Sequence, residues 1–184
     1  MHYDTYFVNT PQTFFPQDRQ AGTIRLQPGD RASSLRRNDK RGNAMPAVPA
    51  GFELDPRIER DTCPLMWLGL CELRLMDDRR WPWLMLVPQR PGVIELHDLT
   101  PLDQTMLTFE TNMVSQALKR VTGCRKINMG ALGNVVPQLH VHLVARDEGD
   151  PAWPGPVWGF GNREPYRRED LHRFVDTIRS ALSP

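Results

Sequence analysis

At 184 residues the chain is long enough for one domain, on the usual ~100–200 residues per domain. Hydrophobic residues make up 40% and charged residues 24%, an ordinary globular mix, and 23 Lys+Arg against 22 Asp+Glu leave a formal charge of +1. That balance excludes a dedicated DNA coat or a polybasic membrane binder, and no apolar run approaches the ~18 residues of a membrane span.

The opening MHYDTYFVNTPQ has neither a basic start nor an apolar core, so no secretory signal is expected. Residues 1–44 carry seven bases (Arg19, Arg25, Arg31, Arg36, Arg37, Lys40, Arg41) against four acids (Asp4, Asp18, Asp30, Asp39). They show no sustained apolar period and too few large apolar groups to offset the entropy of ordering them. The segment reads as a disordered, solvated extension rather than a basic arm for nucleic acid. The Pro-rich stretch MPAVPAGFELDP then opens the domain expected over residues 45–184.

Asp55 and Pro56 read as the N-cap and first residue of a short helix reaching about Thr62. From Leu70 to Met76, polar Glu72 and Arg74 alternate with Cys71, Leu73 and Leu75, the pattern of a strand with one wet face. After the polar turn 77–80, the apolar run Trp83, Leu84, Met85, Leu86, Val87 predicts a central strand covered on both faces. Thr100, Pro101 and Asp103 resemble a helix start. Leu102, Met106, Phe109, Met113 and Ala117 then form an apolar stripe along a helix ending near Gly123. Arg125 to Met129 and Leu139 to Ala145 read as two more strands. A last helix, about 168–182, carries Leu171, Phe174, Val175, Ile178 and Leu182 on one side. The order helix, strand, strand, long helix, strand, strand, helix predicts an α+β domain on a mostly antiparallel sheet.

The chemistry concentrates at Gln138-Leu139-His140-Val141-His142-Leu143. Side chains on a strand alternate between faces, so Leu139, Val141 and Leu143 point to the core while Gln138, His140 and His142 point the other way. A neutral imidazole offers a nucleophilic nitrogen near pH 7, and a second imidazole beside it offers a donor to anionic oxygens. The pair suits phosphoryl chemistry.

This segment resembles the signature of the histidine triad (HIT) superfamily, with Gln138 standing where the first of three histidines would be. WLMLVPQRPG resembles the family's second strand and Pro-basic turn. KINMGALGNVVPQLHVHLVAR resembles its strand, Asn-Gly loop and triad strand, and PAWPGPVWG its Trp/Pro-rich tail. The resemblance spans about residues 54–160 and implies a sheet of about five strands with one long helix and a C-terminal helix. It implies that His140 is the nucleophile taking up a nucleoside monophosphate, that His142 contacts the phosphate, and that Asn128 helps to orient the site. Gly130, Gly133 and Asn134 join Asn128 as expected substrate-binding residues. Pro91 stands where the family often has a further histidine. The main-chain carbonyl of residue 138 is expected to hold the His140 ring, and the Gln138 amide to give phosphate a neutral hydrogen bond.

The expected substrate is a nucleotide, a nucleoside phosphoramidate or dinucleoside polyphosphate, cleaved through a nucleotidyl-histidine without a required cofactor. A nucleotide-binding module with little turnover is the alternative. A divalent metal is not indicated, although Gly133, His140, His142, Glu148 and Gly155 approach the first cupin motif. Two of those spacings differ from it, and the downstream ligand is missing, since His172 falls within the last helix. Cys63, Cys71 and Cys124, an odd number without a C-x-x-C pair, point to a reduced, cytoplasmic setting, with Cys71 and Cys124 as small core residues. His97 and His172 read as solvated, and Trp153 and Trp158 as packing residues. A homodimer is expected from the resemblance, with no membrane partner and no sequence-specific nucleic acid.

Overall fold

The computed structural model describes residues 49–183; the extension expected over 1–44 lies outside the described residues. Helix α1 (Pro56–Asp61) starts as its sequence predicts, with the Asp55 side chain accepting from the Arg57 N–H. Strands β1 (Thr62–Trp67), β2 (Cys71–Met76) and β3 (Trp83–Pro88) follow, then a short 3₁₀ turn (Leu96–Asp98) and the long helix α2 (Pro101–Thr122). Strands β4 (Lys126–Gly130) and β5 (Val141–Arg146) and helix α3 (Arg168–Leu182) complete the order. The five strands form one antiparallel sheet in the order β1-β2-β3-β5-β4.

β1 is the strand that the residue pattern did not announce. It starts at the residue after α1 ends, holds Pro64, and has a register shift between Pro64 and Met66, so no clean alternation marks it. The wet face expected for β2 is also dry. Glu72 and Arg74 are both buried and paired with each other, and Arg74 Nε donates to Thr62 Oγ1 at 2.6 Å. The cover comes from Phe52, Leu54 and Ile58, which pack with Met85 and Val87 on that side.

Helix α2 runs between the expected ends. Thr100 caps it by accepting from the Asp103 N–H, and Gly123 closes it at φ +67, a conformation that favours glycine. Its buried line differs from the apolar stripe in the sequence. Leu102 and Phe109 are 71% and 63% exposed, whereas Asp103, Leu107, Glu110, Val114, Ala117 and Leu118 face inward. Two acids hold that phase. Asp103 takes a two-point bond from Arg90 at 2.9 and 2.6 Å. Glu110 accepts the Leu70 and Cys71 N–H groups at 2.6 and 3.0 Å. Each bonded carboxylate sits where a hydrophobic count expects carbon, which rotates the helix off its apolar stripe.

The two sheet faces differ. Leu73, Leu75, Leu84, Leu86, Val141, Leu143 and Ala145 join the helices α2 and α3 in the main core, where Leu171, Phe174, Val175 and Ile178 of α3 pack as expected. The opposite face has no helix layer of that size. It is closed on one side by residues 52–58 and on the other by the 152–158 loop, and the histidines lie on it. Among the described residues, no helix is long and apolar enough to cross a membrane.

Candidate active site

β5 lies between β3 and β4, so its side chains are placed from both sides. His142 pairs with Met85 on β3 and with Gly130 on β4. His140 precedes the first β5 residue, and the two imidazoles meet edge to face with centroids 4.8 Å apart. Both are buried, while Leu139, Val141 and Leu143 join the main core.

The hydrogen bonds give the two rings opposite tautomers. His140 Nδ1 lies 2.7 Å from the main-chain oxygen of Gln138. A carbonyl oxygen accepts only, so Nδ1 carries the proton and Nε2 keeps its lone pair. His142 Nδ1 accepts from Trp83 Nε1–H at 3.0 Å. An indole N–H donates only, so here Nδ1 holds the lone pair and the proton sits on Nε2. Burial, with a smaller push from His140, drives the His142 pKa down to about 3. A hydrogen bond that needs the lone pair acts in the same direction, because protonating Nδ1 would set N–H against N–H. One ring therefore presents a nucleophilic nitrogen and its neighbour a neutral donor.

Trp83 is the functional residue that the sequence did not single out. It looked like one more apolar residue of β3, and its partner is 59 positions away. Trp158 closes the other side, edge-on to both His142 and Trp83 with centroids 5.9 and 6.2 Å apart. A Cβ on Gly130 would meet the Trp158 ring at 3.1 Å, so glycine there lets the indole approach β4 closely beside His142.

The other expected residues divide. Asn128 is not directed at a histidine: its Oδ1 accepts from Arg146 Nη1 at 2.8 Å. Arg146 is buried, binds Asp150 through Nε and Nη2, and donates to the Gly155 carbonyl, which anchors the loop carrying Trp158. Gly133 and Asn134 are exposed in the loop before His140, and a Cβ on Gly133 would make only ordinary contacts. The Gln138 amide departs from its expected task. Its Oε1 accepts the Asp55 N–H and its Nε2 donates to the Glu53 carbonyl, both at 2.9 Å, so it grips main chain. A cupin-like ligand set is not assembled. Glu148 is exposed and ion-paired with Arg125, and among the described residues no group of three His, Cys, Asp or Glu is placed to hold a metal.

Comparison with known proteins gives the family. The HIT domain family model matches residues 60–149. A histidine triad protein of Sinorhizobium meliloti is 62% identical in its crystal structure, with a TM-score of 0.70, over 71% of this chain and 97% of that one. The chain belongs to the histidine triad family. A second HIT protein, from Bradyrhizobium japonicum, is 41% identical with a TM-score of 0.71, over 72% of this chain and 99% of that one. The bis(5'-nucleosyl)-tetraphosphatase [asymmetrical] of Schizosaccharomyces pombe is 33% identical over 72 residues, which is 36% of this chain and 39% of that relative's length. In this HIT protein His140 and His142 lie edge to face.

Proposed function

We propose that this HIT protein is a nucleotide hydrolase or transferase that cleaves a nucleoside phosphoramidate or dinucleoside polyphosphate through a nucleotidyl-His140 intermediate. The observation that carries the reading is the pair of opposite tautomers. His140 Nε2, its lone pair kept free by the Nδ1–H bond to the Gln138 carbonyl, attacks the α-phosphorus. The Nε2–P bond forms as the bond to the leaving nitrogen or oxygen breaks; a leaving nitrogen takes a proton from solvent, and the water of the second step returns one. His142 Nε2–H donates to a non-bridging oxygen, and with a pKa near 3 it works as a neutral dipole rather than as a cation. Water then adds to phosphorus, Nε2 leaves, and a nucleoside monophosphate is released.

The tetraphosphatase relative supports a nucleotide substrate, and the exposed glycine-bearing loop beside His140 offers main chain to phosphate. A homodimer belongs to the same reading, supported by Met129, which is 63% exposed on the edge strand β4. Light scattering checks it. A cytoplasmic setting is supported by Cys71 and Cys124, both buried and outside any disulfide.

The test is covalent trapping. Native protein mixed with an adenosine phosphoramidate labelled in its phosphate and quenched in acid-free denaturant should carry label, and His140→Ala should carry none. Nucleotide binding without label in the native protein would leave only a binding module.

A further inference from the structure

We propose that Gln138 is a positioning residue that ties residues 53–55 to the nucleophile. This goes beyond the proposed function and rests on His140 being the nucleophile.

Gln138 has two working ends. Its main-chain oxygen holds His140 Nδ1–H, and its side-chain amide spans Asp55 N–H and Glu53 C=O. The amide's orientation is forced by its partners, because only oxygen can accept from Asp55 and only nitrogen can donate to Glu53. Oxygen and nitrogen of one carboxamide thus pair with residues 53 and 55 as the C=O and N–H of one neighbouring strand residue would, and the glutamine acts as a one-residue strand.

The gripped segment covers the histidine face. Phe52 and Leu54 pack with Met85, Val87 and Val136, and Asp55 caps α1. The Asp55 carboxylate is held below its usual range chiefly by its bond to Arg57. Arg57 closes the loop by donating to the Val135 carbonyl. Release of the amide therefore frees the cover and the carbonyl that aims His140 together. Histidine cannot replace it: the two ring nitrogens point along diverging directions, whereas the amide O and N face one way from one carbon. Restoring the family's first histidine should consequently harm this chain.

The test uses the full chain and reads the burst of label from the adenosine phosphoramidate together with hydrogen exchange of the Asp55 amide. Gln138→Ala should slow the burst about tenfold with little change in KM, as expected for a misaimed nucleophile. Gln138→His should be as slow, and Gln138→Glu, which keeps the acceptor for Asp55 N–H, should lie between. Asp55 N–H exchange in substrate-free protein should quicken about tenfold in Gln138→Ala. Phe52→Ala loosens the same cover by another anchor, so Phe52→Ala/Gln138→Ala should be no more than about threefold slower than the slower single variant. Multiplying effects would mean that the amide touches substrate directly, and would overturn the proposal. So would a Gln138→His protein at or above the native rate, or unchanged Asp55 exchange in Gln138→Ala. Label retained in His140→Ala would instead remove the nucleophile reading, while the Asp55 exchange still judges the tie.

Discussion

The two faces of the sheet are built on different terms. Beneath α2 and α3 the core is mainly apolar, and most of its stability comes from area removed from water. The histidine face buries Glu72, Arg74, His140, His142 and Arg146 under α1, residues 52–54 and the 152–158 loop. Polar groups tolerate burial only with partners, and here each has one: Arg74 has Glu72 and Thr62, His140 the Gln138 carbonyl, His142 the Trp83 indole, and Arg146 Asp150 and Asn128. On the first face the bonds of Asp103 and Glu110 set the phase of α2. The histidine face needs directed bonds, which also give the imidazoles fixed protons.

The sharpest separation of the faces pairs His140→Ala with Leu143→Ala. His140→Ala should lower turnover by about a thousandfold or more, since no other group supplies the nucleophile. Leu143→Ala should destabilise by about 2–5 kcal/mol in guanidinium unfolding while the rate per folded molecule stays native.

The next effect is in pH. The folded His142 pKa, about 3, lies below the ~6.5 of an unfolded histidine, so between these values the unfolded chain binds the extra proton. Stability from this group is fully present above pH ~6.5 and is lost as pH falls toward 3, at up to about 1.4 kcal/mol per pH unit. Unfolding of native protein and His142→Asn, whose amide oxygen can still accept from Trp83, should diverge across pH 4–6.5. Parallel curves would mean that His142 titrates normally.

Trp83→Phe keeps the aromatic packing and removes one donor. The loss of a neutral hydrogen bond, about 0.5–1.5 kcal/mol, frees His142 to exchange tautomers and should slow turnover about three- to tenfold. Nitrogen chemical shifts of His142 should show the Nδ1 proton appearing. The smallest effect is expected from removing residues 1–44: neither the melting temperature nor turnover should change, because that segment has no core-forming pattern. A fall of several degrees would place it against one of the two faces.

Sequence by itself determined the features that depend on neighbours along the chain. These include the alternation of Leu139, Val141 and Leu143 with His140 and His142, the caps at Asp55, Thr100 and Gly123, and the apolar side of α3. Local periodicity and capping are set by residues within a turn or two, so they can be read directly. The structure alone decided β1, the phase of α2, and the task of Gln138. Asp103 and Glu110 face inward because Arg90 and the Leu70 and Cys71 amides, distant in sequence, reach them. Likewise the Gln138 amide finds its partners 83 and 85 residues away, and His142 finds its indole at 59. The nitrogen of His140 that holds its proton is set by residue 138, two positions away, but that of His142 depends on the distant indole, about which periodicity carries no information.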